Sequence, residues 1–155
     1  MADIRDDDKL YAATHVRTTI GTTELPVFLA KMPNVSGNFA RIKQIVLSNN
    51  HTVASFIRYR FYVSPTISAN GTALTESRLD IGGTAVANLT AFGTPTISAN
   101  GTQLMEWIVP AGISSSSLIH TFPDGFNLRA NQNILITAVA DGTTRIAAVS
   151  LIWEE

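Results

Sequence analysis

Along most of the chain, apolar and polar residues alternate with a period of two. In "FIRYRFYV" (56–63), Ile57, Tyr59, Phe61 and Val63 share one face, while Phe56, Arg58, Arg60 and Tyr62 share the other, which is the spacing of a strand. "ELPVFLA" (24–30), "ARIKQIVLS" (40–48), "LMEWIVP" (104–110), "SLIHTF" (117–122), "NILITAVA" (133–140) and "RIAAVSLIW" (145–153) are rich in β-branched and aromatic residues and stop at Gly, Pro, Asn or Asp, as strands do. "SRLDIGG" and "TAVANLTAFG" are weaker candidates. No segment carries a sustained helical stripe with caps. The pattern predicts an all-β fold, an antiparallel, jelly-roll-like β-sandwich of about eight to ten strands. Asp141-Gly142 separates two apolar runs and suits the positive φ angles of a tight turn. Residues 133–153 are therefore expected to form a C-terminal hairpin placed centrally in the fold.

One phrase is written twice. "SPTISANGTALTE" (64–76) returns as "TPTISANGTQLME" (94–106), an offset of 30 residues. Asn70-Gly71 and Asn100-Gly101 are turn dipeptides, and Pro65 and Pro95 open each copy where a missing N–H is tolerated. The phrase encodes a repeated structural corner, an extended piece followed by a tight turn and a return strand, as a pseudo-symmetric sandwich needs. Two copies are too few for a stacked solenoid.

Residues 1–20 differ in kind. "DIRDDDKL" is a charge-dense run that burial cannot order. It reads as a frayed terminus or as an extended N-terminal arm that orders against a partner, with residues 21–155 forming a single sandwich domain. The N-terminus lacks the apolar core of a signal peptide, and no apolar run approaches the roughly 20 residues of a membrane helix. The chain is thus expected to be made in a cytoplasm and assembled there.

Composition narrows the chemistry. Charged residues make up 15% of the chain, with 11 Lys+Arg against 12 Asp+Glu, so there is no basic stripe for nucleic acid. Economy of charge in a 45% hydrophobic chain suggests surface covered by another chain. Without cysteine there is neither a disulfide framework nor a thiolate metal site. His15, His51 and His120 are far apart in no ligand spacing, and no nucleophile motif occurs. Glu76 and Glu106 are paired by the repeat, and the corner explains them without catalysis. Neither an enzyme nor a bound cofactor is expected. Arg58, Arg60 and Tyr62 line one face of a strand whose other face is core, and such residues favour interfaces. If that face is used, its natural partners are acidic, such as Asp6, Asp7 and Asp8 of a neighbouring arm. The competing reading is an ordinary solvated face.

The succession "PTISANGTALTESRLDIGG", "NLTAFGTPTISANGTQLMEWIVPAG", "FNLRANQNILITAVADGTT" and "IAAVSLIWEE" resembles small tailed-bacteriophage virion proteins over roughly residues 40–155. The resemblance implies a sandwich or jelly-roll module on a capsid or tail. Its role would be that of a capsid decoration (cement) protein, a homo-oligomer, trimer or dimer, bound to the major capsid protein or another virion protein. It transfers no site residues. The alternative is a phage tail or fibre module, or a carbohydrate-binding sandwich that uses loops at one end.

Overall fold

The computed structural model describes residues 9–79, 87–111, 114–142 and 144–155. Among them there is no helix, and thirteen strands pair antiparallel in two main sheets and one small ribbon. The strands are β1 (Leu10–Ile20), β2 (Leu25–Lys31), β3 (Phe39–Asn49), β4 (Ser55–Val63), β5 (Thr66–Ala69), β6 (Thr72–Ala73), β7 (Ser77–Arg78), β8 (Thr90–Gly93), β9 (Thr96–Ala99), β10 (Thr102–Ala111), β11 (Ser116–Arg129), β12 (Asn133–Ala140) and β13 (Arg145–Glu154). One sheet has the order β11-β3-β13-β1-β7, the second β10-β4-β12-β2-β8-β6, and β5 pairs with β9.

The alternating pattern builds the core. Ile45, Leu47, Val149, Leu151 and Trp153 point from the five-stranded sheet toward Ile57, Tyr59, Phe61, Ile134 and Ile136 of the six-stranded one, and all are fully buried. The buried polar residues Asn49, Ser55 and Thr137 are each hydrogen-bonded, as buried polar groups generally are. Tyr59 sends its hydroxyl across the sandwich to Ser48 O (2.5 Å), and Asn49 Nδ2 donates to Ser55 Oγ and Val109 O, both at 3.2 Å. Burial holds the Tyr59 phenol well above its ordinary range despite a backbone hydrogen bond.

Three expectations change. Residues 10–20 are not an arm: β1 lies between β13 and β7, and Tyr11 stacks on Trp153 with ring centroids 5.8 Å apart. The acidic run Asp6–Asp8 lies outside the described residues. The C-terminal runs do not form a hairpin. β12 pairs with β2 and β4, whereas β13 pairs with β1 and β3, so the two runs belong to different sheets. Each run is central, as its apolar character on both faces requires. The positive φ falls on Thr144 (62°), not on Asp141-Gly142, and Arg145 pairs with Asp141 (3.2 Å). Finally, "FPDG" (122–125) does not end a strand. β11 runs through it as a bulge between Thr121 and Phe126, tolerated because β11 is an edge strand.

The doubled phrase does not make two local hairpins. The two copies pair with each other, Ile67 opposite Ile97 in the β5–β9 ribbon, and each return strand joins the strand that precedes the other copy. Thr72 faces Gly93 as Thr102 faces Val63. The correspondence extends across the sheet: Leu29 faces Phe92 as Leu135 faces Tyr62, and Phe28 faces Gly93 as Ile134 faces Val63. Thr94 N donates to Val27 O as Ser64 N donates to Asn133 O, each at 3.1 Å. The six-stranded sheet therefore has an internal two-fold between β2 and β12, and the repeated letters are its symmetry mates.

Candidate functional site

The outward side of the six-stranded sheet holds the predicted residues Arg58, Arg60 and Tyr62, and the structure engages them within the chain. Glu24, just before β2, gathers Tyr62 Oη (2.8 Å) and Thr137 Oγ1 (2.5 Å) on one carboxylate oxygen and the Arg60 guanidinium on the other. Arg60 Nε also meets Glu106 (2.8 Å), and Glu106 lies 3.4 Å from Arg58 Nε. Burial opposes charge on Glu24, but the hydrogen bonds from Thr137 and Tyr62 and the nearby Arg60 outweigh it, so its carboxyl titrates below its ordinary value. Arg60 is held above its ordinary value, first by its hydrogen bond to Glu106. Burial together with Glu24 raises the Tyr62 phenol. Sequence reasoning missed Glu24 and Thr137. The signal for Thr137 was present, a lone hydroxyl inside an apolar central strand that needs a partner.

The repeated corners close over the same face. Lys31 Nζ donates to Asn70 Oδ1 (2.9 Å), and Asn100 Nδ2 donates to Glu24 (3.5 Å). Leu29 and Leu135 belong to the outward side, yet both are fully buried. Outward residues of a sheet reach that burial only under a cover, and the corners at Asn70 and Asn100 are bonded to residues of this side, Lys31 and Glu24. Glu76 accepts Ala91 N (3.2 Å) beside β8, whereas Glu106 lies on β10. Four strand spacings separate β8 from β10, roughly 20 Å, too far for a pair of carboxylates flanking one glycosidic bond.

The outward side of the five-stranded sheet is different. Pairing across β1, β13, β3 and β11 sets three rows there. The first is Val16, Ala148, Ser48 and Ser117; the second Thr14, Ser150, Val46 and Ile119; the third Ala12, Ile152, Gln44 and Thr121. None is ionisable. Each row holds two apolar residues and two polar ones, and the polar ones bond to each other: Ser48 Oγ with Ser117 Oγ (2.8 Å), Thr14 Oγ1 with Ser150 Oγ (2.7 Å), Gln44 Nε2 to Thr121 Oγ1 (3.3 Å). Charge resumes in the row beyond, where Glu154 meets Arg41 (2.7 Å) and Lys43 (3.4 Å).

Past that row an open cleft of about 480 Å³ is lined by Ser36, Asn38, Phe39, Arg41, Asn127 and Arg129, among others. Among the described residues no group of His, Asp or Glu is placed to hold a metal ion. His120 packs edge-on against Phe122 (4.6 Å) and over Trp107 (5.2 Å). His15 bonds Thr94 Oγ1 through Nε2 (2.9 Å). Compared with known protein families, the chain matches no family profile, and a search of curated proteins returns no match.

Proposed function

We propose that the protein is a non-enzymatic structural subunit of a phage virion, a capsid decoration protein that stabilises a head by surface contact. The observation that carries this reading is the uncharged outward side of the five-stranded sheet, made of β11, β3, β13 and β1. Among the described residues, six charges away from this face are drawn into two ionic networks, Glu24–Arg60–Glu106 and Arg41–Glu154–Lys43. A face without charge, whose hydroxyls already bond sideways, loses little when water leaves it. The eight long strands support the same reading. They lie in the orders β1-β13-β3-β11 and β2-β12-β4-β10, which we read as a jelly roll, an architecture that viral capsid domains share with lectins, and the sequence resembles small virion proteins.

A protein that binds only the assembled shell raises the shell's stability by mass action, about 2.7 kcal/mol at a hundredfold excess over its Kd. The test is to add the protein to heads that lack it. Co-sedimentation and a higher temperature of head disruption are expected. Protein that stays in the supernatant, with disruption unchanged, would defeat the proposal. A second reading, a glycan-binding module, is favoured by the cleft beside the exposed Phe39 ring, where Arg129 and Asn127 offer donors. Glycan binding by the wild type that is lost in Phe39→Ala and Arg129→Ala, with no effect on heads, would establish it instead.

A further inference from the structure

We infer that the uncharged face of the five-stranded sheet mates with the same face of a second copy of this chain, forming a two-fold dimer. The inference rests on the structural reading above and narrows it: the protein that covers this face is a second copy of the chain, and the dimer would then meet a head through its remaining surface. Its three rows expose Val16 (47%) and Ile119 (61%) at opposite margins, with half-buried Val46, Ala148 and Ile152 between them. Four strands about 4.8 Å apart and five or six residues about 3.4 Å apart give roughly 20 by 20 Å. Two copies then cover about 800 Å² before side-chain relief is added, close to the ~1,000 Å² that a specific interface needs.

Composition identifies the occupant. A partner carrying charge would lose hydration against this face without gaining a counter-charge, so the partner must present uncharged, hydroxyl-bearing or apolar rows. This chain presents such rows itself. An isologous contact needs one patch that complements its own copy, and rows of two apolar and two mutually bonded polar residues meet that need. Small Ala and Ser side chains at Ala12, Ala148, Ser48 and Ser150 let the sheets approach closely. Beyond the rows the Arg41–Glu154–Lys43 cluster forms a charged border that limits register. The outward side of the other sheet cannot serve in the same way, because the corners and the Glu24 network already occupy it.

The experiment is sedimentation of the full chain over a wide concentration range, with Val16→Lys and Ile119→Lys compared with Phe56→Lys. Phe56 is also part-exposed (38%) but lies on β4 of the six-stranded sheet. The expected result is a concentration-dependent dimer whose dissociation constant rises on the order of 100-fold in V16K and I119K, through an unpaired desolvated charge, and is unchanged in F56K. Should V16K fail to fold by circular dichroism, I119K on the edge strand carries the comparison. A dimer that survives both face variants overturns the inference, as does a trimer. A monomer at every concentration that still binds heads also overturns it while leaving the virion reading intact. A monomer that ignores heads removes both.

Discussion

Glu24 is the residue on which the outward side of the six-stranded sheet turns. One carboxylate organises Tyr62 and Arg60 of β4, Thr137 of β12 and Asn100 of a repeated corner, three separate segments, and a hydrogen bond to a charged group contributes about 1.5–3 kcal/mol. Glu24→Gln keeps an acceptor for the hydroxyls and removes the charge facing Arg60. It should lower stability by about 1–3 kcal/mol, measured as a shift in urea midpoint at neutral pH. The acid limb follows from the sign of the shift. The Glu24 carboxyl is lowered in the folded state, so its contribution is full above the ordinary carboxylate range and is lost as pH falls through the folded value. Wild type should therefore lose more stability than Glu24→Gln below about pH 4.5. His15 gives a second window. Burial, helped by Arg17, lowers its imidazole below 6.5, so the unfolded chain takes up the proton first and stability falls as pH drops from about 6.5 toward the folded value. His15→Gln should flatten that slope between about pH 7 and 5; an unchanged slope would place the titration elsewhere. Period two alone put Arg58, Arg60 and Tyr62 on one face. It could not show that their partners sit in the same chain, because Glu24 and Glu106 meet Arg60 through contacts 36 and 46 residues apart in the sequence.

At the scale of elements, the doubled phrase is held by its glycines. Gly71 and Gly101 have φ of +89° and +90°, and a Cβ on either would lie 2.3 or 2.2 Å from a backbone oxygen, of Gly93 and Val63 respectively. Each copy's glycine is thus seated against the residues that introduce the other copy. Gly71→Ala and Gly101→Ala should each cost at least about 2 kcal/mol, from positive φ and overlap with unyielding backbone. Their near equality would reflect the internal two-fold. Gly21 is the control, with ordinary φ and nothing within 4 Å of a new Cβ; Gly21→Ala should be neutral or stabilise by up to about 1 kcal/mol. Thermal unfolding of the three variants decides it, and a benign Gly101→Ala beside a costly Gly71→Ala would break the symmetry argument. The same scale shows what was legible in the letters. Strands β2, β3, β4, β10, β12 and β13 follow from alternation because their inward residues are large and regular. β1 was hidden by its neighbours: Ala12, Ala13 and Thr14 give little contrast, and the preceding acidic run suggested solvent. The Asp141-Gly142 crossing misled because a hairpin and an inter-sheet arch share turn residues and differ only in which distant strands lie alongside. The uncharged face was foreshadowed by the 15% charge, but its rows depend on pairing between strands over 130 residues apart, such as Thr14 with Ser150.

For the whole molecule, the decisive contact is between the first and last long strands. β13 lies between β1 and β3, so until it is in place β1 has only its two-residue pairing with β7 and β3 only its ladder with β11. Trp153, fully buried, stacks on Tyr11 across that junction. Removing residues 145–155 strips pairing from both β1 and β3 and opens the core along Val149, Leu151 and Trp153. The truncated chain should not fold at all, rather than fold with a frayed edge. Kinetics should show the same coupling. All-β chains dominated by non-local pairing fold in about milliseconds to seconds, because loop closure precedes the contacts that reward it. Trp107 is the other tryptophan, half-buried on the edge strand β10 against Phe61 (6.2 Å), so Trp107→Phe leaves Trp153 as the sole indole reporter at modest cost. In that variant Trp153 fluorescence should recover in one exponential phase together with the far-ultraviolet strand signal. Strand signal that returns well before Trp153 is quenched or shifted would mean that the six-stranded sheet forms first and the β1–β13–β3 closure follows, and the sandwich would then be two cooperative units rather than one.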